Sequence, residues 1–173
     1  MLADGNLDRA VLHRIEDNLA VNGTRPEFVE WNGRWLIATS DYGNVNNAIR
    51  LYDPEALKKA SRSSDPGVLV HQIPCGPWVQ NVHWQKQSGT LFPVQNQIRG
   101  LKWRLTPVPL KTSKDARALL PIDLSPADEL EGFHMLNEEI GILFSSSRRN
   151  NVRFAVIGHS PEAPEKQPSA RRY

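Results

Sequence analysis

An arginine flanked by apolar residues recurs through this chain at wide, near-regular intervals: Ile49-Arg50-Leu51, Trp103-Arg104-Leu105 and Val152-Arg153-Phe154. A second landmark precedes each triplet, as Val11-Leu12-His13-Arg14-Ile15, Leu69-Val70-His71-Gln72-Ile73 and Ala118-Leu119-Leu120-Pro121-Ile122. Self-similarity at a period of about 40–50 residues, with several short strands in each period, restricts the fold severely. A unit that small cannot bury its own apolar face, so it must stack on copies of itself.

With the strands of one unit labelled A (innermost) to D (outermost), the chain reads D-A-B-C three times, over about 10–53, 67–106 and 118–157. The first outer strand is expected over 10–16, where Val, Leu and Ile alternate with polar residues. Strand A follows at 27–32 and strand B at 34–39. Between them stands Asn32-Gly33, the strongest short hairpin signal. Strand C is expected at 48–53. The second copy gives D at 68–74, A at 78–85, a turn at Ser88-Gly89, B at 90–96 and C at 101–106. The third gives D near 118–123, A near 130–136, a turn at Asn137-Glu138-Glu139, B at 140–146 and C at 151–157. Trp31, Trp84 and Met135 align the three A strands.

Asp53 as N-cap, Pro54 at the first helical position and good helix formers behind them predict a short helical turn near 54–60. The corresponding stretch from Pro107 to Asp115 is broken by prolines and reads as a loop. Residues 159–173 have no apolar periodicity, so a disordered tail is expected after a domain over 1–158.

The fold expected from this layout is all-β, a partial β-propeller of three four-stranded blades in D-A-B-C phase. The chain opens on an outer strand without a blade and ends on a blade without an outer strand. Three blades are fewer than the four to eight that normally close. Two completions are open. A second copy joins by a two-fold into a six-bladed ring, each N-terminal strand completing the other chain's last blade, or another propeller half belongs to the same protein. Left open, the fan exposes apolar faces on both terminal blades.

A net charge of +2 with scattered basic residues argues against a nucleic-acid partner. One cysteine, Cys75, excludes an internal disulfide, and no apolar run has membrane-spanning length. With no signal-peptide pattern after Met1, the default location is cytoplasmic.

Pro26-Glu27 ahead of strand A, Asp41-Tyr42-Gly43 closing strand B and Tyr52-Asp53-Pro54 closing strand C give a texture that resembles six-bladed propellers. The nearest groups are the gluconolactonase/senescence-marker type and the NHL-like repeats. The first resemblance implies a small-molecule, lactonase-like hydrolytic site with a divalent cation in the channel mouth. Glu27 matches the family's metal-binding Glu in position, and Asn81 and Asn96 are the Asn equivalents.

From the residues themselves, the mouth is built by the D-to-A and B-to-C connections. It gathers Tyr42, Asn44, Asn46 and Asn47, then Trp78, then Asn96, Gln97 and Arg99, and finally the run Ser145 to Asn150. Such Asn and Ser side chains also serve turn backbone, whereas Arg99 and Arg148 have the fork that grips a carboxylate or phosphate. On the A strands, Glu30, His83 and His134 precede the aligned Trp31, Trp84 and Met135, with Glu27, Gln80 and Glu131 earlier in the same strands. His83 and His134, with Glu131, are the candidate acid–base residues; the competing roles are a metal held by Glu30, His83 and His134 and structural hydrogen bonding. The recurring arginines read as structural, and Cys75 in Pro74-Cys75-Gly76-Pro77 reads as a turn residue rather than a nucleophile. Binding of a small molecule, with or without hydrolysis, competes with a non-catalytic interaction scaffold and with an inactive fragment of a longer propeller.

Overall fold

A computed structural model describes residues 13–20, 22–96, 103–110, 122–124 (backbone alone) and 128–157. Arg99 and the expected tail over 159–173 lie outside them, as do residues 10–12. The described residues form three antiparallel sheets and one helical turn. The first sheet is a meander of β1 (Glu27–Trp31), β2 (Arg34–Thr39), β3 (Ala48–Tyr52) and β4 (Leu69–Pro74), with α1 (Pro54–Leu57) in the β3–β4 connection. The second runs β5 (Val79–Gln85), β6 (Thr90–Asn96), β7 (Trp103–Leu105) and β9 (Ile122–Leu124), with β8 (Val108–Pro109) added beside β6. The third comprises β10 (Leu130–Met135), β11 (Ile140–Ser145) and β12 (Val152–Val156). No described helix is long and apolar enough to cross a membrane.

Local chemistry accounts for the junctions. Asn32 and Gly33 take φ of 49° and 71°, the paired left-handed residues of a type I′ turn whose twist suits the β1–β2 hairpin. The Asp53 carboxylate accepts from the Glu55 and Ala56 N–H groups at 2.8 and 3.0 Å, capping α1 behind Pro54.

Two expectations are corrected. The stretch after Pro107 is not all loop: β7 covers only the last residues of β6, and Val108 and Pro109 pair with Leu91 and Thr90 at its beginning. Proline is tolerated there because β8 is a two-residue edge strand. The N-terminal outer strand does not form over its described part. Residues 13–15 belong to no strand, and Glu16 makes a single parallel bridge to Arg62. Glu16 donates its N–H to Ser61 O and accepts from Ser63 N. The Asp17 carboxylate accepts from the Tyr52 and Ser63 hydroxyls at 3.1 and 2.6 Å. These polar bonds hold the segment to the β3–β4 connection of its own chain.

The sheets stack in chain order through two apolar interfaces. Val29, Leu36, Ala38, Ile49 and Leu51 of the first sheet meet Val82, Trp84 and Leu91 of the second. Phe92, Val94, Trp103 and Leu105, on the opposite face of the second sheet, meet Leu130, Phe133, Met135 and Leu143 of the third. A smaller cluster of Tyr52, Ala60 and Val68, with Ile37, Leu57 and Leu69 against it, covers part of the first sheet's outer face.

This stacking shifts the alignment of the A strands by one residue. Trp84 and Met135 each face the preceding sheet, whereas Trp31 packs toward the second sheet and stacks on His71, ring centroids 4.7 Å apart. In β1 it is Val29, opposite Leu36, that occupies the place His83 holds opposite Phe92. Glu30 therefore lies on the first sheet's outer face, away from His83 and His134.

Two of the three recurring arginines, Arg50 and Arg153, brace their own hairpins. Arg50 donates to Asn46 O at 3.3 Å, and Arg153 to Asn150 O at 3.3 Å. Both asparagines are left-handed, with φ of 54° and 56°, a conformation that asparagine tolerates better than most residues. Arg153 also reaches Asp128 and lies 5.7 Å from the Trp103 ring centroid.

Candidate functional site

The A strands of the second and third sheets carry matching irregularities. The β5–β6 ladder shifts register between Val79 and Asn81, and the β10–β11 ladder between Leu130 and Gly132. The extra residues are Gln80 and Glu131. A bulge re-aims the side chain it displaces, and here the two displaced side chains meet: Gln80 Nε2 donates to Glu131 Oε2 at 3.0 Å. Beside them the Asn81 amide approaches Gly132, where a β-carbon would lie 3.6 Å from Asn81 Nδ2. The β1–β2 ladder is regular, and Glu27 turns back to accept the N–H of Phe28 at 3.0 Å.

Two aromatic residues border this pair. Trp78 holds a φ of 61°, an outlier for so bulky a residue. It is kept there by bonds from its N–H to Gly43 O (2.8 Å) and from Asn96 N to its carbonyl (3.0 Å). Its ring meets Tyr42 edge-on at 5.6 Å. Burial, then the carboxylates of Glu129 and Glu131, push the Tyr42 phenol above its ordinary pKa. The rim thus assembles Tyr42, Trp78, Gln80, Asn81, Glu129 and Glu131 from all three sheets. It offers carboxylate acceptors, amides able to donate and accept, and two aromatic rings.

Other candidates serve the sheet interfaces. Asn96 Nδ2 donates to Leu130 O at 2.9 Å and Asn96 Oδ1 accepts from Leu130 N at 2.7 Å, a reciprocal pair buried between the second and third sheets. His83 Nε2 accepts the Met135 N–H at 3.1 Å, so in the neutral ring the proton sits on Nδ1. Burial, then the His134 ring with its centroid 4.7 Å away, pushes the His83 pKa down to about 4. The lone pair a general base needs is already engaged. His134 is exposed, and Arg148 is exposed in the β11–β12 connection. Cys75 lies 3.6 Å from Ser40 Oγ, and burial pushes its thiol pKa up. Among the described residues no group of three or more His, Cys, Asp or Glu is placed to hold a metal.

The sequence brings Tyr42, Trp78, Asn81 and Glu131 to attention but gives Gln80 little weight and Glu129 none. The one hint of a displaced Glu131 is Gly132, since glycine inside a strand often marks a bulge.

No family model, no curated protein and no solved structure matches this chain.

Proposed function

We propose that the three sheets are blades of a partial β-propeller and that the rim around Gln80 and Glu131 binds a small hydroxylated molecule. The observation that carries this is the coincidence of the two bulges, which brings a carboxamide and a carboxylate from neighbouring sheets together beside Trp78 and Tyr42. A carboxylate with free lone pairs accepts from ligand hydroxyls, and indole and phenol rings cover the apolar C–H face of a sugar-like ring. Hydrolysis of a lactone agrees with the resemblance to lactonase-type propellers. In that reaction Glu131 would take a proton from the water that attacks the lactone carbonyl and return it to the ring oxygen as its bond to the acyl carbon breaks. The cation that the resemblance implies would involve Glu27 and Asn81, but Glu27 is bonded to the Phe28 N–H and, among the described residues, belongs to no group of three or more His, Cys, Asp or Glu, so no step is routed through a metal.

The test is calorimetric titration of the full chain with a panel of sugar lactones and the corresponding open-chain acids and polyols. Binding by one member, weakened at least tenfold in Glu131→Gln and in Gln80→Leu with the far-ultraviolet spectrum unchanged, supports the site. Equal binding by the parent and Glu131→Gln, or no binding by any member, removes it.

A further inference from the structure

The residues flanking the recurring arginine are buried twice and exposed once. In the first sheet Ile49 and Leu51 are sealed against the second sheet, and in the second sheet Trp103 and Leu105 are sealed against the third. Their counterparts in the third sheet, Val152 and Phe154, are 51% and 74% exposed. The same face of this sheet also exposes Ile140, Phe144 and Val156, which the β11–β12 register places alongside them. Residues that repeat a buried position but stand in solvent mark a surface built to be covered. At the other end of the stack, the first sheet exposes Phe28 and Trp35 on the face that, in the second and third sheets, receives the preceding sheet.

We infer that the outer face of the third sheet packs on the outer face of the first sheet in a second copy of this chain. One chain presents both halves of the interface that it repeats twice internally, the donating face at one end and, beside the part that its own Ala60 and Val68 cover, the receiving face at the other. Two copies related by a two-fold satisfy all four exposed faces at once, in a closed head-to-tail ring. The contact continues the two internal interfaces in kind. It does not call on residues 16 and 17, which are bound to their own Ser61, Ser63 and Tyr52. The inference rests on the blade reading above but not on the ligand proposed for the rim.

The experiment is sedimentation equilibrium on the full chain, on Phe154→Asp (third-sheet face), on Trp35→Asp (first-sheet face), and on an equimolar mixture of the two variants. The parent is expected at twice the 19.5 kDa of one chain. Each variant alone is expected at least tenfold weaker in association, because both contacts of its dimer carry one substituted face. The mixture should recover association, because one of its two contacts then joins two unaltered faces. A parent that stays monomeric overturns the inference. So does a Trp35→Asp dimer as tight as the parent, which would mean that third-sheet faces pair with each other. A monomer that still binds at the rim removes this inference and leaves the preceding one standing.

Discussion

Acidification should withdraw stability at one identifiable point, the His83 imidazole. In the unfolded chain that ring takes up a proton near pH 6.5. In the folded chain it does so near 4, because protonation would place a charge between the second and third sheets, beside His134 and against the Met135 N–H that Nε2 now accepts. The folded-state value is depressed, so the contribution is complete above pH 6.5. Between 6.5 and 4 only the unfolded state binds the proton, and stability falls by about 1.4 kcal/mol for each pH unit. Near pH 4 the folded ring protonates as well and the loss levels off, at about 3 kcal/mol in total. That is a large part of the roughly 5–15 kcal/mol that holds a typical domain. The assay is urea unfolding at constant ionic strength from pH 7.5 to 4, for the parent and for His83→Gln, whose amide accepts the Met135 N–H without titrating. The difference between the two should narrow, or reverse in favour of the variant, by about 3 kcal/mol as the pH falls. Parallel profiles would refute the reasoning. If His83→Gln fails to fold, the ring titration of the parent followed by magnetic resonance decides the matter, and a His83 midpoint at 6 or above refutes it.

Asn96→Ala removes both bonds to the Leu130 backbone and leaves a buried N–H and C=O unpaired. A loss of about 2–4 kcal/mol is expected, with faster exchange of the Leu130 amide; a loss below about 0.5 kcal/mol would return Asn96 to the ligand-binding candidates. Gly141→Ala puts a β-carbon inside contact distance of the Phe133 ring, so a cost of about 1–3 kcal/mol is expected in thermal unfolding, and an unchanged midpoint would show that the ring moves freely. The Cys75 thiol, held above its ordinary pKa by burial, should react with a disulfide reagent at pH 7.5 at least tenfold more slowly in the folded chain than in urea. Equal rates would mean that the Cys75 turn opens readily.

Strand positions were largely legible because they depend on local chemistry. The apolar runs within Arg34–Thr39 and Thr90–Asn96, the Asn32-Gly33 turn and the Asp53-Pro54 helix start each carry their own signal. The bracing role of Arg50 and Arg153 was legible too, since an ionic side chain recurring within successive strands is more readily explained by bracing than by ligand contact. Hidden from the sequence were β8, which continues the β7 register along β6 beyond Thr106 and Pro107, and the docking of Glu16 and Asp17 on Ser61 and Ser63. The displacement of Gln80 and Glu131 was equally hidden, since a bulge is settled by how a whole ladder pairs.

The sequence by itself determined that this chain is all-β, that its strands come in three similar groups, and which of its apolar residues belong to them. Only the tertiary structure decided which face meets which. A period of two says that neighbouring side chains point apart, but not which side is inward, and a one-residue slip exchanges the two. For that reason Trp31 and Trp84 looked equivalent and proved to face opposite ways. For the same reason Val152 and Phe154, indistinguishable by pattern from Ile49 and Leu51, are found in solvent, where no following sheet of the described chain covers them.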